Sequence, residues 1–330
     1  MRALVTGGGG FLGSAIVRQL RARGDEVVSF SRGEYPELAS LGVEQYRGDL
    51  ADLNAVVQAA QGCDTVFHVA AKAGIWGSFQ EYYLANVVGT ENVIAACRIL
   101  GIRRLVYTGS PSVVFDGSDV EGGDESLPYP AHFEAHYPHS KALAEKAVLA
   151  ANSRTLSTVS LRPHLIWGPG DNHLVPRIVA KGRAGALRRI GTRTCLVDTV
   201  FVDNAAEAHL NAADRLCPDA PLAGKAYFIS NGEPIPLWDM VNAILGAAGV
   251  PPVNRTVPAG VAYAVGVACE VAWKTLKLSG EPPMTRFVAK ELATSHWFDI
   301  SAARRDLGYS PRISTQEGLK LLRASFEAVA

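Results

Sequence analysis

A tyrosine and a lysine four residues apart, in Tyr137-Pro138-His139-Ser140-Lys141, are the pair in this 330-residue chain best suited to moving a proton. That spacing places both side chains on one face of a helix, next to each other. A phenol ordinarily titrates near 10 and is a slow proton shuttle at neutral pH; bringing it to about 7 takes about 4 kcal/mol of differential interaction. An exposed ion pair supplies at most about 1 kcal/mol, so Lys141 has to act from a desolvated site, together with a positively charged oxidised nicotinamide. Upstream, Tyr107-Thr108-Gly109-Ser110-Pro111-Ser112 closes a strand-like run and offers a hydroxyl to a substrate oxygen. Ser110 and Ser112 can both serve, and alignment with the strand end favours Ser110. Together these residues suit general acid catalysis at a carbonyl that receives hydride: Tyr137 gives the proton, Ser110 holds the oxygen, and Lys141 supports Tyr137 and the cofactor ribose. Such assistance is worth about 10² to 10⁴ in rate. His132, His136 and His139 crowd the same segment, but no carboxylate or cysteine spacing makes them ligands, so no metal site is expected.

A cofactor has to be held where these groups converge, and the N-terminus supplies the means. After the apolar run Ala3-Leu4-Val5 comes Thr6-Gly7-Gly8-Gly9-Gly10-Phe11-Leu12-Gly13. The glycines at 7, 10 and 13 fit a strand, a tight turn and a helix beginning near Phe11, with Leu12, Ala15, Ile16 and Leu20 on its core face. The free N–H groups and dipole of such a helix start, with Phe11 and Leu12 in its first turn, bind a pyrophosphate that glycine lets come close. The second strand ends in Phe30-Ser31-Arg32, where an NAD-binding unit carries a carboxylate for the ribose hydroxyls. A small hydroxyl and an arginine instead suit a 2′-phosphate, so NADP(H) is the expected cofactor, with NAD or dual use as the alternative. Asp49 and Leu50 follow the third strand and are placed to reach the adenine, while Ala70 and Ala71 follow the fourth and lie along the middle of the cofactor. His68, between Phe67 and Val69, reads as a packed core histidine rather than a catalytic one.

Strand-like runs at Glu26–Ser31, Val43–Arg47, Thr65–Val69, Arg104–Thr108 and Val159–Arg162 alternate with helical periodicity at Asp52–Ala60, Tyr82–Leu100 and Tyr137–Ala151. This is the pattern of an α/β, doubly wound parallel Rossmann sheet. Past Trp167-Gly168-Pro169-Gly170 the alternation stops. Residues 1–167 are therefore expected to form the nucleotide-binding domain, with later contributions from about 196–230, where Val200–Val202, a helix from Asn204 to Ala213 and Tyr227–Ser230 are further additions to it. Residues 168–195 and 231–330 are expected to form a smaller, mainly helical substrate lobe. A composition 48% hydrophobic and 19% charged supports a large core, and a formal net charge of zero without basic runs excludes a nucleic-acid partner. Five dispersed cysteines without paired spacing suit reduced thiols in the cytoplasm, and the chain opens directly on strand and glycine loop, so no cleavable leader is expected.

These motifs, with Asn86-Val87-Val88-Gly89-Thr90, Leu161-Arg162-Pro163 and Val197-Asp198-Thr199-Val200-Phe201-Val202-Asp203-Asn204, resemble the short-chain dehydrogenase/reductase family of extended type over nearly the whole chain. Tyr137-Pro138-His139-Ser140-Lys141 and Val197-Asp198-Thr199 look like its 3β-hydroxysteroid dehydrogenase branch, since the sugar-nucleotide branch usually carries Arg-Asp-Phe at the latter place. In that likeness Ser110, Tyr137 and Lys141 are the catalytic triad, Asn86 is a fourth member, and Pro163 lies on the cofactor. Gly109 and Pro111 depart from the usual serine-rich surroundings. Longer stretches, among them Glu26–Leu38, His68–Gly74, His164–Arg177 and Tyr227–Pro234, resemble bacterial ketoreductases of long-chain olefin biosynthesis. The resemblance implies NADPH-dependent reduction of a 3-ketone beside a branched carboxylate with two long alkyl chains, neighbouring pathway enzymes as partners, or alternatively a sterol-type oxidoreductase. A non-catalytic nucleotide sensor is the remaining class, but such proteins commonly lose the Tyr or the Lys. Homo-oligomerisation stays open.

On the substrate side, Val257–Leu278 is mostly small and apolar and suits an alkyl-binding wall as well as an ordinary core helix. Its length approaches the roughly 20 residues of a membrane span. Glu270, Lys274 and Lys277 argue against spanning, since each charge at mid-bilayer costs about 2.5 to 3.5 kcal/mol, which leaves peripheral contact with a membrane open. The Arg and His residues around Trp167–Arg177 are the places to look for a partner of the substrate carboxylate.

Overall fold

The computed structural model describes residues 1–328. Its centre is a seven-stranded parallel sheet built from β1 (Arg2–Thr6), β2 (Glu26–Ser31), β3 (Glu44–Arg47), β4 (Thr65–His68), β5 (Arg104–Thr108), β6 (Ser157–Pro163) and β7 (Lys225–Ile229). The spatial order is β7-β6-β5-β4-β1-β2-β3, so the sheet reverses direction of growth between β1 and β4. In open α/β sheets ligands bind beyond the carboxyl ends of the strands at such a switch point.

The strands read as continuous apolar runs because helices cover both faces. Alternate residues of β1 divide between two cores: Ala3 and Val5 join one with Phe67, Val106 and Val159, while Leu4 joins the other with Val28, Val66 and Leu105. On the first face lie α1 (Phe11–Ala22) and α5 (Val202–Arg215), packed together. On the second lie α2 (Leu53–Ala59), α3 (Gly89–Leu100) and α4 (His136–Ala150). The face expected for α1, Leu12, Ala15, Ile16 and Leu20, is buried.

Two differences from the sequence expectation matter. The helical run ending at Leu100 begins at Phe79 and passes through a π-helical turn at Tyr83–Val88, which carries Asn86. Val200–Phe201 is a strand, but it pairs with Ile166–Trp167 rather than with the main sheet, whereas β7 does add the seventh strand beside β6. A second small sheet runs in the order Ile235–Pro236, Leu196–Val197, His296–Phe298, Val120–Gly123, tying a loop after β5 to the C-terminal third. The remainder of that third is mainly helical, including α6 (Ala259–Leu276) and α7 (Arg286–Glu291).

Candidate active site

The glycine loop is a cradle that only glycine fits. Gly7 has φ +71°, and a Cβ there would come 2.9 Å from the Ala70 Cα; one on Gly8 would come 2.5 Å from Ser29 Oγ, and one on Gly13 would run into the Gly7 carbonyl. Helix α1 starts from Gly10 with no side-chain cap and no acidic residue in its first turn, so the first N–H groups, at Phe11 and Leu12, are left for an anion. Ala70 lies against the loop; Ala71 is exposed one residue on. Thr6 organises the junction. Its Oγ accepts from the Val69 and Ala70 N–H groups at 3.1 and 3.2 Å and lies 2.7 Å from His68 Nδ1, while His68 Nε2 is 2.9 Å from Thr90 Oγ1. Thr90 donates to the Asn86 carbonyl at 2.5 Å, so His68 Nε2 carries the proton and Nδ1 accepts from Thr6. Burial holds His68 down to about 3, the neutral core histidine expected.

At the end of β2, the Ser31 hydroxyl is buried without a partner and Arg32 is exposed, with no carboxylate paired to it among the described residues. Tyr35, which no motif flags, lies over the loop: a Cβ on Gly9 would strike its ring. Asp49 caps the turn after β3 through the Ala51 N–H at 2.9 Å, and the Leu50 side chain packs against Gly89. Pro163 is buried at the end of β6. An orphaned hydroxyl beside a free guanidinium, and an uncapped helix start in a cradle without side chains, fit a dinucleotide phosphate.

At the same edge of the sheet, Tyr137 and Lys141 occupy the first turns of α4, with Tyr137 half-buried and Lys141 buried. Lys141 Nζ donates to the Thr108 carbonyl at 2.6 Å and stands 4.3 Å above the Tyr107 ring; burial lowers it to about 7. Burial raises the Tyr137 phenol, with the Ser110 hydroxyl pulling the other way and Glu291 adding to the rise. This differs from a phenol brought down to neutrality: the Lys141 ammonium is turned to the Thr108 carbonyl, and burial outweighs the hydroxyl of Ser110 at the phenol. The hydroxyls of Ser110 and Ser112 are hydrogen-bonded to each other at 2.8 Å. Gly109 has a local reason: a Cβ there would come 2.7 Å from both Glu145 Oε2 and Ser160 Oγ. Glu145 is itself buried, held by Arg162, Ser160 and Tyr129.

Asn86 spends its whole amide on backbone and helix. Its Oδ1 accepts from the Lys72 N–H at 2.7 Å, and its Nδ2 donates to the Lys72 carbonyl at 3.1 Å and to Ser140 Oγ at 2.9 Å; Ser140 Oγ in turn donates to the Tyr137 carbonyl at 2.8 Å. It reaches the site through the backbone of its neighbours. Glu291, at the end of α7, is the group sequence reasoning missed: it is half-buried on the Tyr137 side of the cleft, and burial pushes it up to about 8. Its carbonyl accepts from His296 Nε2 at 3.0 Å; His296 Nδ1 meets His164 Nε2 at 3.2 Å, and His164 Nδ1 meets Asp198 at 2.7 Å. Of the cationic groups near Trp167–Arg177, Arg177 is paired with Glu281 at 2.9 Å. Among the described residues no three His, Cys, Asp or Glu side chains cluster as a metal site.

Residues 4–258 match the model of the 3-beta hydroxysteroid dehydrogenase/isomerase family. The chain belongs to that family. Like its other members it is an NAD(P)-dependent oxidoreductase. Within the 3-beta hydroxysteroid dehydrogenase/isomerase family it is 54% identical over 330 residues to the 2-alkyl-3-oxoalkanoate reductase of Stenotrophomonas maltophilia (strain K279a), covering 99% of this chain and 100% of that one. It is 54% identical over 331 residues to the 2-alkyl-3-oxoalkanoate reductase of Shewanella oneidensis, covering 98% of this chain and 86% of that one. The fold is also that of the Thermus thermophilus UDP-glucose 4-epimerase in complex with NAD, at a TM-score of 0.76 and 26% identity over 100% of both chains.

Proposed function

We propose that this protein reduces the 3-keto group of a 2-alkyl-3-oxoalkanoic acid to the 3-hydroxy acid with NADPH, as a step of long-chain olefin biosynthesis. The observation that carries the chemistry is the placement of Tyr137 and Lys141 in the first turns of α4, with Ser110 at the Tyr137 hydroxyl, at the carboxyl edge of the sheet. The substrate class is supported by the 54% identity, end to end, with a reductase of that name. Reduced nicotinamide supplies the hydride for C3. The protein's part is to present and polarise the ketone: Ser110 donates to the oxygen and Tyr137 passes its proton to the same oxygen as the C3–H bond forms. A phenol that holds its proton at neutral pH has that proton to give in this direction, and Lys141 stands one helical turn on, its ammonium on the Thr108 carbonyl. Asn86 is a positioning residue that sets the start of α4 against the loop at Lys72.

For the nucleotide, we assign Gly7, Gly10, Phe11, Leu12 and Gly13 to the pyrophosphate, Ser31 and Arg32 to a 2′-phosphate, Asp49 and Leu50 to the adenine end, Ala70 and Ala71 to the middle, and Pro163, Tyr137 and Lys141 to the nicotinamide end. The unpaired Arg32 supports NADP(H) over NAD(H). Residues 1–167 with about 196–230 are then the cofactor domain and the remainder the substrate lobe. Five free cysteines suit a cytoplasmic setting, and neighbouring olefin-pathway enzymes are the expected partners. A second reading, a 3β-hydroxysteroid-type oxidoreductase of a sterol or other bulky ketone, draws on the family match.

Rates of NADPH and NADH oxidation with a 2-alkyl-3-oxo acid and with a 3-ketosteroid, side by side, test the proposal. Turnover of the keto acid with NADPH is expected; turnover of the steroid alone would give the second reading, and preference for NADH would remove the role given to Arg32.

A further inference from the structure

Helix α6 is apolar on the side that faces away from the protein. Val261, Val265, Val271 and Leu276 are 49, 47, 55 and 68% exposed, and Val267 and Leu278 are exposed with them. The helix is fully buried only at Ala262 and Gly266, where a Cβ on Gly266 would come 2.7 Å from the Thr285 carbonyl carbon, and the same side continues through the partly covered Glu270 and Trp273. Its one acidic residue, Glu270, lies on that packed side and is consumed by Arg286, whose N–H and Nε both reach it at 2.7 Å. The outward face thus carries no charge over most of its length and ends in Lys274 and Lys277, neither paired with a carboxylate among the described residues. A contiguous apolar face of this kind marks an interaction site.

We propose that α6 lies flat on the surface of an anionic lipid bilayer, with Val261, Val265, Val267, Val271 and Leu276 in the acyl boundary and Lys274 and Lys277 among the headgroups. Three observations select this occupant. The outward residues are mostly small and β-branched, with no Arg or Trp among them, and the one exposed aromatic of the helix, Tyr263, stands beside Lys290 of α7. The only charges at the face are positive, so a second copy would bring lysines and no carboxylate to meet them, whereas an anionic headgroup layer complements them. No helix among the described residues is long and apolar enough to cross a membrane, so the helix rests on the bilayer and does not span it. Helix α6 packs on α7, which ends at Glu291, a group close enough to raise the Tyr137 phenol. That a two-chain acid would be drawn from the bilayer rests on the proposed function; the docking itself does not.

Co-sedimentation of the whole protein with vesicles of phosphatidylcholine alone, or mixed with phosphatidylglycerol, tests this without reading turnover. The wild type is expected to sediment with the anionic vesicles. Val265→Ser/Val271→Ser should weaken binding by about tenfold per valine. Lys274→Gln/Lys277→Gln should weaken it by about fivefold per lysine, on anionic vesicles only. Unchanged melting and NADPH binding confirm that the variants are folded. Wild-type protein left in the supernatant with both vesicles overturns the proposal, as do variants that bind like wild type. A dimer in light scattering that the valine variant splits into monomers would give the face to a second copy instead.

Discussion

Lys141 sits far from its ordinary chemistry. Its ammonium lies in the core, satisfied by one carbonyl and one aromatic face, and burial lowers it from 10.5 to about 7. The sign follows from linkage. The unfolded chain holds a proton on this lysine between about 7 and about 10.5 that the folded chain has lost, so the lysine costs stability in full below about 7 and costs none above about 10.5. Lys141→Met is therefore expected to abolish reduction by about 10² or more while melting at or above the wild-type temperature at pH 7. The advantage should shrink as pH rises toward 10.5. Thermal melts across this range check it. A variant that melts lower at pH 7 would show that the ammonium stabilises the fold.

At the scale of elements, the glycine loop and α1 are one device. Gly13 sits in the first turn with its Cα against the Gly7 carbonyl, so any side chain forces the helix away from the strand. Gly13→Val is expected to weaken nucleotide binding by at least about tenfold and, because α1 carries Leu12, Ala15, Ile16 and Leu20 into the core, to lower the melting temperature as well; nucleotide fluorescence titration and thermal melts read the two effects. This device was legible in the sequence because every part of it is local: an apolar strand, glycines at fixed steps, and a helix with a 3.6-residue period. The same holds for the strands and for Tyr137 and Lys141 on one helix face. What was not legible depends on distant partners. The π-helical turn at Tyr83–Val88 shares the apolar period of the helices it joins, and only the Asn86 bonds to Lys72 and Ser140 show why the turn widens there. Two-residue strands such as Val200–Phe201 carry too little pattern to reveal which sheet they join. Helix α6 is mostly small and apolar, a composition that fits a core wall and an exposed face equally until its packing line is known.

Across the whole molecule, the sheet and the C-terminal third meet through buried polar groups. Asp198, His164 and His296 form a chain from the loops beyond the sheet to the Glu291 carbonyl. His296 gives its Nε2 proton to that carbonyl, so its Nδ1 accepts from His164 Nε2–H. His164 Nδ1 lies 2.7 Å from Asp198 Oδ1, and the chain ties the last turn of α7 to the loops beyond the sheet. Glu291, carried there, has a folded value raised from 4.5 to about 8. Its contribution is present at pH below about 4.5 and is lost as pH rises through about 8, the opposite sign to Lys141. Glu291→Gln, which stays neutral, should flatten the fall in stability between about pH 5 and pH 8 relative to wild type, as measured by denaturant midpoints. An unchanged slope would mean that the carboxylate is solvated.

The central claim is that Tyr137 protonates the ketone oxygen as C3 is reduced. Its most direct test is the turnover number for NADPH oxidation by the wild type and by Tyr137→Phe on a 2-alkyl-3-oxo acid, with the 3-hydroxy acid identified as product. A loss of about 10² or more with nucleotide binding intact is the predicted result; a Phe variant that forms the hydroxy acid at the wild-type rate would contradict it.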